Sequence, residues 1–283
     1  MDTDINGLIH ELKKQAIAHH EYFHYTTVDK YLKMIKPVAL PNGESHRMFW
    51  LTQATETNDK FERNYGNGEY LGCFTYSPYE SVGMWFMYGK QHHDAARIGF
   101  DLRHFTKWLN SCIRNNGMTR TIMAFGIDEN NGYEEIPSEE IDDVCIYDVA
   151  YVLSRQDIDH HGWPCNVEWR RNCHRVIDSD MDIVSGNGAF LYAEDFTDKV
   201  CHKLPFCFKK KGWANEREVR IVVSLKPEAT RWKRIAIPFD EPLAFSESHT
   251  KEYVILGPWH KDGDLHGLVD EQSVGRSVFT GEL

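Results

Sequence analysis

The run EREVRIVVSL at residues 216–225 constrains this chain more than any other stretch. Side chains along a strand alternate faces, so Val219, Ile221 and Val223 fall on one side while Glu216, Glu218 and Arg220 fall on the other. The apolar side must cover a core, and the run therefore predicts a strand within a larger sheet. The charged side has two readings. On a solvated face the three residues form a surface ion-pair ladder of small energetic weight. In a cleft, the two carboxylates lie a few ångströms apart, so that one can be tuned while the other hydrogen-bonds substrate. Such a pair suits the stabilisation of a sugar cation or the activation of a nucleophile.

The rest of the pattern mixes both periods. Ile5, Leu8, Ile9, Leu12 and Ala16 recur at helical spacing over residues 4–18. Tyr22, Phe23 and Tyr25 read as a short strand, and Thr26 with Asp29 fits a capping box that opens a second helix. Strands follow at 48–52 and in YLGCFTYS, then a helix that buries Met84, Trp85 and Tyr88, the strand ARIGFDL and a helix in RHFTKWLNSCI. Residues 128–143 carry eight acids and no base, and read as a solvated acidic excursion. Further strands are expected in VCIYDVAYVLS, RIAIPF and EYVILGP, and helices near 160–180 and 193–203. No βαβ cadence, phosphate-binding glycine turn, repeat or linker is visible. The expectation is a single α+β domain over 1–283, with a mixed or antiparallel sheet and peripheral helices.

Composition narrows the function classes. The 283 residues are 41% hydrophobic, enough for a packed core. A formal net charge of -11 opposes general attraction to a phosphate backbone. No apolar run reaches membrane-spanning length and no signal-peptide layout opens the chain, so a cytoplasmic protein without membrane attachment is expected. The seven cysteines form no C-x-x-C pair and read as reduced, mostly buried thiols. Histidine pairs at 19–20, 92–93 and 160–161 point apart on any regular element, so no metal site is expected.

Several motifs occur together in order: His24, Tyr25 and Thr26; Asn58, Asp59, Phe61 and Glu62; Ser81, Met84, Trp85 and Tyr88; Lys210, Trp213, Glu216, Glu218 and Arg220; and Ile255, Leu256 and Gly257. This succession resembles the bacterial domain-of-unknown-function 2971 family over most of the chain. A looser resemblance is to the three-part signature of ADP-ribosyltransferases. It implies an ADP-ribosyltransferase-like fold and NAD as substrate, with a role as a bacterial toxin or phage-defence effector. In that mapping His24 holds the NAD ribose, Tyr88 or Trp85 packs near nicotinamide, Glu218 supports the ribosyl cation and Glu216 is the preceding acid. The nucleotide-binding set is completed by Tyr25, Thr26, Lys210, Trp213 and Arg220. The acceptor, protein or nucleic acid, is open.

Each residue also has an ordinary reading. His24 suits a hydrogen-bonded histidine at a strand end, Trp85 and Tyr88 suit core aromatics, Lys209–Lys211 suit a solvated charge run, and Asn58–Asp59 suits a capped turn. The alternative to an enzyme is therefore a noncatalytic module that binds a nucleotide, nucleic acid or protein partner through its aromatic and lysine positions.

Overall fold

The computed structural model describes residues 13–57, 68–89, 94–116, 119–128, 132–152, 167–168, 190–191, 206, 208–229, 231–239, 254–259 and 274–279. Among them one sheet has eleven strands: β1 (Glu21–Thr26), β2 (Met48–Gln53), β3 (Glu69–Thr75), β4 (Ala96–Asp101), β5 (Phe125–Ile127), β6 (Tyr133–Glu135), β7 (Ile141–Asp148), β8 (Glu218–Leu225), β9 (Arg234–Pro238), β10 (Val254–Leu256) and β11 (Val274–Arg276). All pairs in it are antiparallel except the last, where β10 and β11 run parallel. Helices α1 (Val28–Ile35), α2 (Val82–Gly89) and α3 (Leu102–Cys112) accompany it. The fold is α+β, as the mixed periodicity predicts.

The sheet branches at β3. One edge of β3 pairs along its length with β8, from Glu218 opposite Thr75 to Ser224 opposite Glu69. The other edge is divided: Tyr70 and Leu71 pair with β2, whereas Thr75 pairs with Phe23 of β1. Beyond the fork, β2 leads to β9, β5 and β6, and β1 leads to β4, β10 and β11.

The main core covers one face. It gathers Tyr22, Phe49, Phe74, Ile98, Phe100, Val219, Ile221 and Val223 from the sheet, closed by Phe105, Trp108 and Leu109 of α3. Trp108 Nε1 donates to the Pro238 carbonyl at 2.8 Å, so the buried indole is satisfied. On the opposite face a smaller cluster joins Tyr25 to Met84 and Trp85 of α2.

Local departures from the sequence reading have physical causes. Thr26 ends β1 and is buried, and the cap of α1 is Thr27, whose hydroxyl accepts from Lys30 N at 3.2 Å. The acidic segment is less of an excursion than expected: β6 hairpins onto β5, and Ile136 and Ile141 are buried while most of its acids face solvent. Two isolated buried isoleucines anchor what the charge pattern alone leaves loose. Of the helix expected over 4–18, residues 13–16 are helical and 4–12 lie outside the described residues, as do the helices expected near 193–203 and, apart from residues 167–168, near 160–180. Cys112 and Cys145 are buried, and Cys73 is partly buried. No helix among the described residues is long and apolar enough to cross a membrane.

The β5–β9 contact depends on a missing side chain. A Cβ at Gly126 would lie 2.1 Å from Trp232 Cδ2, inside the buried indole's contact surface. Gly126→Ala is expected to destabilise the fold by about 1–3 kcal/mol through overpacking, read as a lower midpoint in urea unfolding with an unchanged slope.

Candidate functional site

The strand registers decide which candidate side chains meet. Phe23, Thr75 and Glu218 lie in one row across β1, β3 and β8. Arg220 is opposite Cys73 and Tyr147, and Tyr25 is opposite Arg97. These residues occupy the face of the sheet that carries α2. His24 is opposite Ile98 and points to the other face, its ring 5.0 Å from that of Phe49 and 5.6 Å from that of Phe74. The sheet itself therefore separates His24 from Glu218, and the expected pairing of the two about one substrate is not formed.

His24 is instead part of the fork. Its Nδ1–H donates to the Cys73 carbonyl at 2.8 Å, on the stretch of β3 between the segments paired with β2 and β1. A carbonyl only accepts, so Nδ1 carries a proton. Burial is the main reason its pKa falls to about 4; the Cys73 hydrogen bond opposes this and Lys30 adds to it.

Glu218 and Arg220 are both buried, which overturns the solvated-ladder reading. Arg220 Nε donates to Glu218 Oε1 at 2.7 Å and Nη2 to Oε2 at 3.0 Å, a side-on fork from two residues of one strand face. Arg220 Nη1 donates to the Phe206 carbonyl at 3.0 Å. The charge of the carboxylate is thus matched where it stands, which leaves it poorly suited to stabilise a second cation.

Glu216 is not on the strand. It ends a 3-10 turn, Lys211–Glu216, and Arg217 takes a left-handed conformation with φ 44°. That single residue breaks the alternation, so the Glu-x-Glu spacing does not place both acids in one pleat. Glu216 is nonetheless buried beside the start of β8.

The aromatic candidates are packed as ordinary core. Trp85 is fully buried, stands edge-on to Tyr25 at 4.8 Å and donates from Nε1 to Glu80 at 2.9 Å. Tyr25 accepts from Ser81 N at 3.1 Å, and burial raises its pKa. Tyr88 is partly buried, 6.3 Å from Tyr25. Trp213 is partly buried in the 3-10 turn, and Lys210 ends a short strand, Phe208–Lys210, that pairs in parallel with residues 150–152. Asn58, Asp59 and Glu62 lie outside the described residues. No cluster of histidine, cysteine and carboxylate side chains suited to a metal ion occurs among the described residues.

One charged residue on the same face was passed over. Arg97 is buried in β4, between the core residues Ala96 and Ile98, with its guanidinium 3.5 Å above the Phe23 ring. Its Nη2 donates to the carbonyls of Ser77 and Pro78, at 2.9 and 3.1 Å. A lone arginine inside ARIGF was the available signal, since a charge within an apolar strand is rarely idle. Tyr79, which follows Pro78, is 77% exposed.

No protein-family model matches the chain, and no curated protein or solved structure shows significant similarity to it.

Two stability measurements follow from this geometry. Arg220→Met leaves Glu218 buried without its partner and is expected to cost about 3–5 kcal/mol, whereas Glu218→Leu with Arg220→Met recovers most of that loss in urea unfolding. The second concerns pH. Because the fold holds His24 neutral, its contribution is complete above the unfolded-state pKa of about 6.5 and is lost as pH falls towards about 4. Stability of the wild type is expected to fall by one proton's slope across that window relative to His24→Phe, which is also less stable at pH 7 by about 1–3 kcal/mol because the Cys73 carbonyl loses its donor.

Proposed function

We propose that this protein is a noncatalytic nucleotide-binding module whose ligand lies against the Ser77–Tyr79 loop that Arg97 holds. The observation that carries this reading is the grip of Arg97 on Ser77 and Pro78. It fixes the most exposed large hydrophobic side chain among the described residues, Tyr79, in the loop beside a buried cation. The loop thus carries an exposed ring one residue beyond the carbonyls that the cation holds, and stacking on such a ring tolerates any base. The pairing of Glu218 with Arg220 favours binding over catalysis, because the charge of that carboxylate is already matched by the guanidinium.

Transfer of ADP-ribose from NAD, with an ADP-ribosyltransferase-like architecture, is the second reading. The burial of Glu216 and Glu218 favours it, since a carboxylate shielded from water stabilises a cation strongly. In that case Tyr25, which shares the face of Glu218, takes the place expected of His24. The motif resemblance to the domain-of-unknown-function 2971 family is compatible with both readings.

Calorimetric titration with AMP and NAD, run alongside an assay for nicotinamide release, separates them. Saturable binding of AMP and NAD without release, weakened about tenfold by Tyr79→Ala, is the expected outcome. Release by wild type that Glu218→Gln abolishes would replace binding with transfer, and neither binding nor release would remove both.

A further inference from the structure

A buried guanidinium normally stands against a carboxylate, because an unpaired charge taken out of water is expensive. Arg220 follows that rule with Glu218, and Arg97 does not. No carboxylate comes within ion-pairing distance of Arg97 among the described residues, although its side chain is as deeply buried as Glu218. Its two hydrogen bonds both leave from Nη2, and the buried Nε–H has no acceptor among the described residues. The Phe23 ring covers one face of the guanidinium, so an incoming group must meet its edge.

The neighbouring acids do not fill this role. Glu80 and Glu21 are the carboxylates whose fields reach Arg97. Glu80 is already committed: Trp85 Nε1 and the Ser277 hydroxyl donate to one of its oxygens, and Val278 N donates to the other at 3.1 Å. The result is a cation held in place by two neutral carbonyls and a ring, with donors left over on its edge.

We propose that Arg97 is the anchor of an oxyanion site that takes a phosphate group. This deepens the nucleotide reading and rests on it, by naming the ligand group that the site would hold: the phosphate of a nucleoside monophosphate or of a larger phosphate ester. Planar, fixed N–H donors match two oxygens of a phosphate.

The probe is inorganic phosphate, followed by thermal unfolding and by the Nε–H resonances of protein labelled with 15N-arginine. Phosphate is expected to raise the melting temperature saturably beyond sodium chloride of equal ionic strength, and to shift one protected Nε–H resonance downfield. AMP is expected to bind at least tenfold more tightly than adenosine. Folded Arg97→Gln should lose the phosphate response, and Arg97→Lys should keep only part of it. Equal affinity for AMP and adenosine would overturn the phosphate site while leaving base recognition, and hence the nucleotide reading, intact. No shift of a protected Nε–H with phosphate in the wild type would overturn the proposal whether or not the Arg97 variants fold, as would an undiminished response in folded Arg97→Gln.

Discussion

The Glu218–Arg220 pair is the interaction on which the sheet's centre depends. β8 lies between β3 and β7 and is buried on both faces, so it cannot expose the charges that its sequence places on one of them. Two charged side chains at positions i and i+2 of one strand solve this locally, each serving as the other's solvent. The apolar face is then free to carry Val219, Ile221 and Val223 into the main core. Taking both charges out of water costs several kcal/mol per ion, which is why the geometry must be two-pronged and why the leftover Nη1 is spent on Phe206.

The fork in β3 is a second case of local settlement. When two strands share one edge, the backbone between them loses its ladder partners, and a buried carbonyl must find a donor elsewhere. His24 supplies it at Cys73, which turns a residue of catalytic type into a structural one. Gly72, the neighbouring residue of β3, serves the same junction by leaving room for β2: a Cβ there would lie 2.7 Å from Leu51 Cδ2. The chemistry expected of His24 and Glu218 fails on geometry, since both side chains are buried but on opposite sides of one sheet.

Much of this architecture was legible in the sequence. Alternation located β1, β2, β3, β4, β8, β9 and β10, and assigned Val219, Ile221 and Val223 to the core. What alternation lacks is register between strands, and only register reveals that His24 and Glu218 diverge. The left-handed Arg217 carries no glycine or asparagine to announce it, so the Glu216–Glu218 spacing misled. The burial of Glu218 and Arg220 was hidden for another reason: an ion pair looks the same in sequence whether water or protein surrounds it. Arg97, by contrast, was readable as a charge in an apolar strand.

The order in which β3 meets its partners bears on how the chain is made. β1 and β2 lie close to β3 in sequence, but β8 follows roughly 140 residues later. During synthesis, the edge of β3 from Glu69 to Thr75 stays open until that distant strand emerges, with Leu71 and Phe74 on it. An apolar open edge is the kind of surface that recruits other strands, so the nascent protein passes through a long interval of vulnerability to self-association. The burial that makes β8 stable in the finished sheet is thus what makes its late arrival hazardous.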